Sequence, residues 1–400
     1  MKRLKACVGA LFLILFAQSA LADHSTKPLI SVLAPEYCSD VKGRTTITIS
    51  APGVSKIDVK TWKPGGRFGS MVAVGDINLD RDGTGTFVFD ADEYPHGPIT
   101  LSLSGSNAKN EDNCYVQLYN LGGIAAGAGI PKDAPPAAQG LKLVFADDFD
   151  GPLSIGSGAS DRYYDHKPPE GKTDFSSIPF VSHDKPNTPF AQVDTYLRIR
   201  ASDKTKSAGL ISSIQNDGRG VKVAAPAYFE CRFLGPNAPG SWPAFWIMTD
   251  YCSPERNQGI RTPCDELDVI EAYGGEGFKR PNAYDKFMIS PHCWNQGDAG
   301  VKTAKAAAAQ LTRPIEMYKA GIPTTWYESF HTYGCLVTDT ETVYYCDDIE
   351  VGRHKTLPLC KTQPMFFMVN LATGGGWPVD LSRYGGTIDM YVDYVRVYGK

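Results

Sequence analysis

The chain has 400 residues, enough for two or more domains, and 40 lysines and arginines nearly balance 44 aspartates and glutamates. This balance excludes a strong basic field of the kind that attracts nucleic acid or an anionic membrane. The 40 glycines, 28 prolines, 20 tyrosines and 18 phenylalanines are spread among many short runs. Such a composition predicts an all-β protein with frequent turns.

The first 22 residues have the organisation of a signal peptide. Lys2, Arg3 and Lys5 precede an apolar run over residues 6–17, and the small residues Ala20 and Ala22 offer a cleavage site. The apolar run is too short to span a bilayer comfortably. We therefore predict a secreted or periplasmic protein that keeps no membrane anchor after cleavage.

Export permits disulfide bonds, and nine of the ten cysteines remain once Cys7 is removed. An odd number cannot all pair within one chain, and their spacings do not match zinc ligands. The preferred pairs, each confined to one predicted domain, are Cys38–Cys114, Cys252–Cys264 and Cys346–Cys360. The connectivity stays open, because sequence alone does not fix it.

The N-terminal third contains short strand-like runs separated by turns. Residues 23–121 are predicted to form a small immunoglobulin-like β-sandwich domain, which is either a spacer or a carbohydrate-binding module. Trp62, Tyr94 and Tyr119 are its candidate sugar-stacking side chains. Residues 122–140, rich in glycine, alanine and proline, are predicted to be a linker that builds no core. Residues 141–400 are long enough for a large two-sheet domain.

Three acids stand out in an aliphatic, strand-like run of the second domain. Glu266 and Asp268 are two positions apart and face the same side of a strand. Glu271, five positions after Glu266, would face the opposite side of a regular strand. One extra residue, a β-bulge in the Val269–Ile270 step, returns it to the acidic face.

Three carboxylates on one face cannot all ionise without strong mutual repulsion. We therefore expect the cluster to retain one proton near neutral pH, as a general acid requires. Side chains leaning together would bring Glu266 and Glu271 to about 5–6 Å, close to the separation typical of retaining glycosidases. The alternative reading of the same pattern is an acidic edge or a solvated strand face.

The run Glu266-x-Asp268-x-x-Glu271 resembles the bulged signature of glycoside hydrolase family 16. Other motifs, before and after this run, are also similar to that family and occur in the family's order over about residues 140–400. They are Leu-Val-Phe-Ala-Asp-Asp-Phe-Asp-Gly (143–151), Ser-Trp-Pro-Ala-Phe-Trp (241–246), Phe-His-Thr-Tyr-Gly (330–334), Asn-Leu-Ala (370–372) with Gly-Gly-Gly-Trp (374–377), and Val-Asp-Tyr-Val-Arg-Val-Tyr (392–398).

The resemblance implies a β-jelly-roll catalytic domain, so the predicted fold class is all-β: a jelly-roll sandwich preceded by the immunoglobulin-like sandwich. It also implies endo-hydrolysis of a β-linked polysaccharide with retained anomeric configuration. Glu266 would be the nucleophile and Glu271 the acid/base, with Asp268 between them tuning the charge of Glu266. No metal or organic cofactor is required.

Aromatic rings are candidates for substrate binding because sugars present apolar C–H faces. The candidates are Trp242, Trp246, Trp294 and Trp377, of which Trp246 fits a core position equally well. His292 follows the acidic strand by one hairpin, where related enzymes place a histidine near the acid/base. Asn370 is predicted either to donate to a sugar hydroxyl or to bond the backbone.

The last predicted strand covers residues 390–398, with Tyr391, Asp393, Val395 and Val397 on one side. Asp393 resembles a position at which some family members bind calcium, away from the chemistry. A structural calcium ion at Asp393 is therefore the one metal that we consider.

The expected partner is a polysaccharide, and the expected oligomeric state is a monomer. A β-1,3-glucan or mixed β-1,3-1,4-glucan is the first choice, while galactans and a bacterial exopolysaccharide remain open. Capture of the intermediate by a sugar would make the protein a transglycosylase. A non-catalytic carbohydrate-binding sandwich is the alternative from a different class, although binding alone does not need three clustered carboxylates.

Overall fold

The computed structural model describes residues 29–108, 110–169, 174–275, 286–311 and 314–400, and the predicted signal peptide lies outside this part. Strands make up most of the regular structure in it, so the all-β prediction is confirmed. Short 3-10 helices lie at Ala91–Glu93, Pro136–Ala138, Gly259–Arg261 and Ser382–Tyr384.

The N-terminal part forms two sheets around a core of its own. Its strands are β1 (Ser31–Ala34), β2 (Asp40–Val41), β3 (Arg44–Ser50), β4 (Lys56–Lys63), β5 (Ser70–Asn78), β6 (Thr84–Asp90), β7 (Gly97–Ser106) and β8 (Glu111–Asn120). One sheet has the order β1-β3-β6 and the other β2-β8-β7-β4-β5. In β4, Ile57 and Val59 are buried while Lys56, Asp58 and Lys60 are exposed, the alternation of a half-buried strand. The immunoglobulin-like designation of this sandwich stays a prediction.

The second part is a larger two-sheet sandwich with one α-helix, α1 (Gly297–Ala308). Its strands are β9 (Lys142–Asp147), β10 (Phe190–Val193), β11 (Tyr196–Ser202), β12 (Gly209–Ser212), β13 (Ala227–Leu234), β14 (Ser241–Thr249), β15 (Cys264–Ala272), β16 (Lys286–Trp294), β17 (Ile315–Glu316), β18 (His331–Val337), β19 (Glu341–Cys346), β20 (Ile349–Lys355), β21 (Met365–Thr373) and β22 (Thr387–Gly399). An eight-stranded sheet has the order β10-β11-β22-β13-β18-β19-β20, with β9 also on β22. The facing six-stranded sheet, β12-β21-β14-β15-β16-β17, carries the acidic strand β15.

The last strand, β22, does not keep the simple alternation predicted for it. Its pairing with β13 shifts by one residue at Asp393, so a bulge reverses the two faces. Val395 joins the core between the sheets, whereas Tyr391 packs on the outer side against Tyr119 and Tyr196. The prediction that Tyr391, Asp393 and Val395 share one side is therefore wrong.

At Asp393, the position considered for a calcium ion, the carboxylate already has other partners. Its Oδ2 pairs with the Arg232 guanidinium, and its Oδ1 accepts a hydrogen bond from the Gly129 N–H at 2.8 Å. The side chain is fully buried. A guanidinium held against the carboxylate neutralises the charge that a cation would need.

The N-terminal sandwich packs against the outer face of the eight-stranded sheet. Tyr115 meets Tyr327 edge to face at 4.6 Å between ring centres, and Tyr119 lies 5.7 Å from Tyr391. Tyr119 is 1% exposed, so it is not available to stack on a sugar, and Tyr94 is buried against Phe89. The N-terminal sandwich therefore covers the eight-stranded sheet, whereas the acids lie on the other, six-stranded sheet.

Buried polar contacts also join the N-terminal sandwich to the second part. Arg383 donates to both carboxylate oxygens of Asp112, at 3.2 and 2.8 Å, and each side chain is about 7% exposed or less. Asp112 also accepts the N–H groups of Leu29 and Ile30. Because a buried carboxylate is costly without partners, this pair fixes how the two parts meet.

The predicted linker lies along β22 rather than apart from both domains. Arg396 donates to the carbonyl oxygens of Pro131 and Asp133, at 3.3 and 3.0 Å. Ala138 is buried with Tyr228 and Tyr398. The segment therefore adds a small apolar cluster to the sheet, which its composition did not predict.

The structure shows none of the three predicted disulfides among the residues it describes. All the cysteines in this part are present as thiols, at positions 38, 114, 231, 252, 264, 293, 335, 346 and 360. In the same residues, no helix combines the length and apolar character needed to cross a bilayer.

We expect the Arg383→Met substitution to lower the free energy of unfolding by about 3 kcal/mol, because it leaves the buried Asp112 carboxylate without its cationic partner. Urea unfolding of the full chain would measure the loss. Arg353→Met, which removes an exposed pair with Glu350, is the matched control and should cost less than about 1 kcal/mol. Equal losses for the two variants would contradict the role given to the buried pair.

Candidate active site

The acidic strand β15 contains the predicted β-bulge. Against β16, Glu266 lies opposite His292 and Asp268 opposite Ser290, but Glu271 rather than Ile270 lies opposite Met288. Against β14, Trp246 faces Asp268 while Phe245 faces Ile270, so Val269 is the extra residue. The bulge resets the alternation of the strand after Asp268.

As a result, the three acids share the face of the sheet that points away from the core. Glu266 is 7% exposed and Asp268 4% exposed, while Glu271 is half-buried. Leu267 and Ile270 point into the core between the two sheets. The sheet thus places three carboxylates side by side on an aliphatic support.

A fourth acid of the same strand, Asp265, has a purely structural environment. It is fully buried on the core side, and its Oδ1 accepts from the Gln296 amide at 2.7 Å. Its Oδ2 accepts the N–H groups of Leu359 at 2.7 Å and Cys360 at 3.1 Å. Asp265 therefore ties the start of β15 to two neighbouring loops.

The middle acid, Asp268, lies against the side chain of His292. His292 Nε2 lies 3.3 Å from Asp268 Oδ2. Burial, reinforced by the charges of Glu271 and Glu266, raises the pKa of Asp268 well above its usual range. Burial opposes protonation of His292, but the hydrogen bond to Asp268 and the nearby carboxylates raise the His292 pKa to about 9. One proton held between the two groups satisfies both tendencies.

Two groups of described side chains lie close enough to share a metal ion. Glu266, Asp268 and His292 offer atoms within 4.8 Å of one another, as do His331, Cys346 and Asp347. In the second group, both His331 nitrogens are already hydrogen bonded, Nδ1 to Asp347 and Nε2 to the Thr325 carbonyl. The first group contains two of the three clustered acids, for which the family resemblance implies a reaction without a metal.

Trp246 and Asn370 lie on the same face as the acids, but they are buried. Trp246 is 6% exposed, and its Nε1 donates to Asn370 Oδ1 at 2.8 Å. Asn370 is 1% exposed and donates in turn to the Trp242 carbonyl oxygen at 3.2 Å. Both side chains therefore help to hold strand β14 in place, and their contact with a sugar stays a prediction.

The other predicted aromatic residues flank the acids and are more accessible. Trp294 is 44% exposed and stacks on His292 with 5.1 Å between ring centres. Trp377 is 39% exposed in the loop after β21. Trp242 is half-buried and stacks on Tyr273 at 5.4 Å. These rings remain candidates for substrate contact.

Three side chains at the site were not predicted from the sequence. Lys167 Nζ lies 4.9 Å from the centre of the Trp246 ring, and Phe175 meets Trp242 edge to face at 5.3 Å. Tyr273 donates from its hydroxyl to Glu271 Oε1 at 2.9 Å. Lys167 and Phe175 come from a polar, proline-rich loop whose fold no local pattern reveals, whereas Tyr273 is only two residues from an acid already identified.

The chain is similar to curated endo-glycanases of Rhizobium meliloti (strain 1021). It is 30% identical to the endo-1,3-1,4-β-glycanase EglC over 275 residues, which cover 64% of this chain and 52% of EglC. It is 31% identical to the endo-1,3-1,4-β-glycanase ExsH over 173 residues, covering 43% of this chain and 30% of ExsH. The resemblance to glycoside hydrolase family 16 is confirmed. No model of a known protein family matches the chain.

The matched segment of this family 16-like chain spans about half the length of EglC and under a third of ExsH. Among solved structures, one similar chain is a variant of SCLam, a non-specific endo-β-1,3(4)-glucanase from family GH16. It shares 19% identity, covers 69% of this chain and all of its own, and has a TM-score of 0.47.

We expect the Asp268–His292 pair to release its shared proton with a midpoint near pH 9 rather than near the ordinary histidine value of about 6.5. Because the folded-state value is raised, the stabilisation from the protonated pair is complete below pH 6.5 and is lost as the pH rises through 9. Imidazole NMR resonances, assigned with a His292→Gln variant, would follow the titration. The Asp268→Asn substitution should move the midpoint down, and a midpoint near 6.5 in the unmodified protein would refute the shared proton.

Proposed function

We propose that this chain is an exported, retaining endo-glycosidase that hydrolyses internal β-linkages of a polysaccharide, with β-1,3-glucan or mixed β-1,3-1,4-glucan as the preferred substrate. The observation that carries the proposal is the bulge at Val269, which gathers Glu266, Asp268 and Glu271 on one face. The similarity to the endo-1,3-1,4-β-glycanases EglC and ExsH supports both the endo mode and the substrate class.

In the first step, the ionised Glu266 attacks the anomeric carbon and forms a glycosyl ester. Glu271 gives its proton to the departing glycosidic oxygen as that bond breaks. In the second step, Glu271 takes a proton from water, whose oxygen attacks the same carbon and releases Glu266. Two displacements at one carbon retain its configuration, and no electron transfer or cofactor takes part.

The Asp268–His292 pair suits the charge movement in this cycle. Negative charge passes from Glu266 to Glu271 when the ester forms and returns when the ester is hydrolysed. Asp268 lies between these two positions on the strand, and the proton it shares with His292 keeps it from adding a full third charge. Both glutamates can then carry the charge in turn without the repulsion of three carboxylates.

The Glu266→Gln substitution should lower the release of reducing ends on the order of 10⁴-fold, because the nucleophile is lost. The assay is a panel of laminarin, mixed-linkage β-glucan, agar and carrageenan, with the products sized by chromatography. The Asp268→Asn substitution should be milder, about 10²-fold. Glu255→Gln, which changes an exposed acid in a nearby loop, is the control and should retain full activity.

Several results of this panel would redirect the proposal. Turnover by Glu266→Gln equal to that of the unmodified protein would remove the nucleophile assignment. Cleavage of agar or carrageenan alone would make the enzyme a galactanase, and products longer than the substrate would make it a transglycosylase. Binding of a polysaccharide without release of reducing ends would identify a non-catalytic sandwich.

Export is the second part of the proposal. Expression of the full chain in a Gram-negative host should place the protein in the periplasm or medium, with Asp23 as its first residue. N-terminal sequencing of the recovered protein measures this directly. Replacement of Lys2, Arg3 and Lys5 by glutamate should hold the protein in the cytoplasm, and recovery of an uncleaved chain outside the cytoplasm would contradict processing at this site.

A further inference from the structure

We propose that Tyr273 is a positioning residue for the acid/base, and that its hydroxyl decides which oxygen of Glu271 faces the glycosidic bond. The inference deepens the function proposed above and depends on it. It rests on one hydrogen bond, one ring stack and one glycine, all of them beside the acidic strand.

The hydrogen bond joins Tyr273 to the last of the three acids. The Tyr273 hydroxyl donates to Glu271 Oε1 at 2.9 Å, within the normal range for such a bond. Tyr273 follows directly after β15, two residues beyond Glu271, so both side chains leave the chain on the same side. Glu266 and Asp268 accept no hydrogen bond from a tyrosine of the described residues, so this support is specific to the third acid.

The ring of Tyr273 is held from two directions, which fixes the direction of its hydroxyl. It stacks on Trp242 with 5.4 Å between ring centres and 27° between planes. Trp242 is held in turn by Phe175 and by the Asn370 amide on its carbonyl oxygen. Because the Tyr273 ring is already fixed, its hydroxyl does not have to be ordered when substrate binds. Such preorganisation keeps the proton donor, Glu271, correctly oriented.

Gly375 closes the other side of the ring pair. A Cβ atom at this position would lie 2.7 Å from the Tyr273 ring and 2.9 Å from the Trp242 ring. Its φ of +61° is also a conformation that side chains disfavour. The glycine-rich run before Trp377 is therefore required here by the close approach of the backbone to both rings.

The consequence for the reaction follows from how many lone pairs a carboxyl group offers. With Oε1 accepting from Tyr273, the transferable proton of Glu271 lies on Oε2, which is left to face the leaving oxygen. In the second step, the same Oε2 takes the proton of the attacking water. The phenolic proton stays on Tyr273 throughout, because Oε1 accepts from it in both protonation states.

The Tyr273→Phe substitution tests this role, because it keeps the stack on Trp242 and removes only the hydroxyl. On β-glucan we expect kcat/KM to fall about tenfold, which corresponds to about 1.4 kcal/mol, with KM changed less than about twofold. On a 2,4-dinitrophenyl glycoside of a β-glucan oligosaccharide, kcat/KM should stay within about twofold. That leaving group departs without protonation, so its first step does not need an oriented acid.

Three further variants make the result specific. Glu271→Gln should show the same contrast between the two substrates more strongly, because it removes the proton donor itself. Gly375→Ala, which displaces both rings, should lower kcat/KM on both substrates. Tyr394→Phe removes a buried hydroxyl on the far sheet, where it contacts Thr332, and should change neither.

The inference is overturned if Tyr273→Phe has the same kcat/KM on β-glucan as the unmodified protein. It is also overturned if kcat/KM falls equally on β-glucan and on the activated glycoside, as a packing role would predict. A failure of the proposed function looks different: the unmodified protein would then cleave neither the β-glucan nor the activated glycoside.

Discussion

One extra residue in one strand brings the three acids of this protein to the same face of a sheet. Without the bulge at Val269, Glu271 would point into the core beside Leu267, and the outer face would carry only Glu266 and Asp268. The bulge is held between two fully paired neighbours, β14 and β16, so its position cannot slip without breaking both ladders. A rigid six-stranded sheet therefore supports a cluster of like charges that would separate on a flexible loop.

The environment of each acid on β15 then sets its role. Asp265, on the core side, has its oxygens filled by three N–H donors and is tied to structure. Asp268 is buried beside two glutamates and has a histidine as its partner, which keeps a proton in the middle of the cluster. Glu271 is the least buried, and its partner is a tyrosine hydroxyl fixed by stacking. Desolvation and hydrogen-bond partners distinguish four carboxylates that look equivalent in the sequence.

The N-terminal sandwich completes the molecule from behind rather than extending the site. Its tyrosines and the Asp112–Arg383 pair cover the outer face of the eight-stranded sheet, on the side away from the acids. This explains why β22 is buried along almost its whole length. An aromatic residue at a domain surface is thus ambiguous in a sequence, since Tyr119 has the appearance of a sugar platform and is a docking contact.

The sequence by itself determined the all-β class, the acidic strand, its bulge and the resemblance to family 16, because strand alternation and the spacing of three acids are local properties of the chain. It did not place the face reversal at Asp393, the burial of Trp246 and Asn370, or the contacts of Lys167 and Tyr273. Each of these depends on which segments, distant in the chain, lie against each other. Only the packing of two sheets, their loops and the N-terminal sandwich decided which side chains meet water, a carboxylate or another ring.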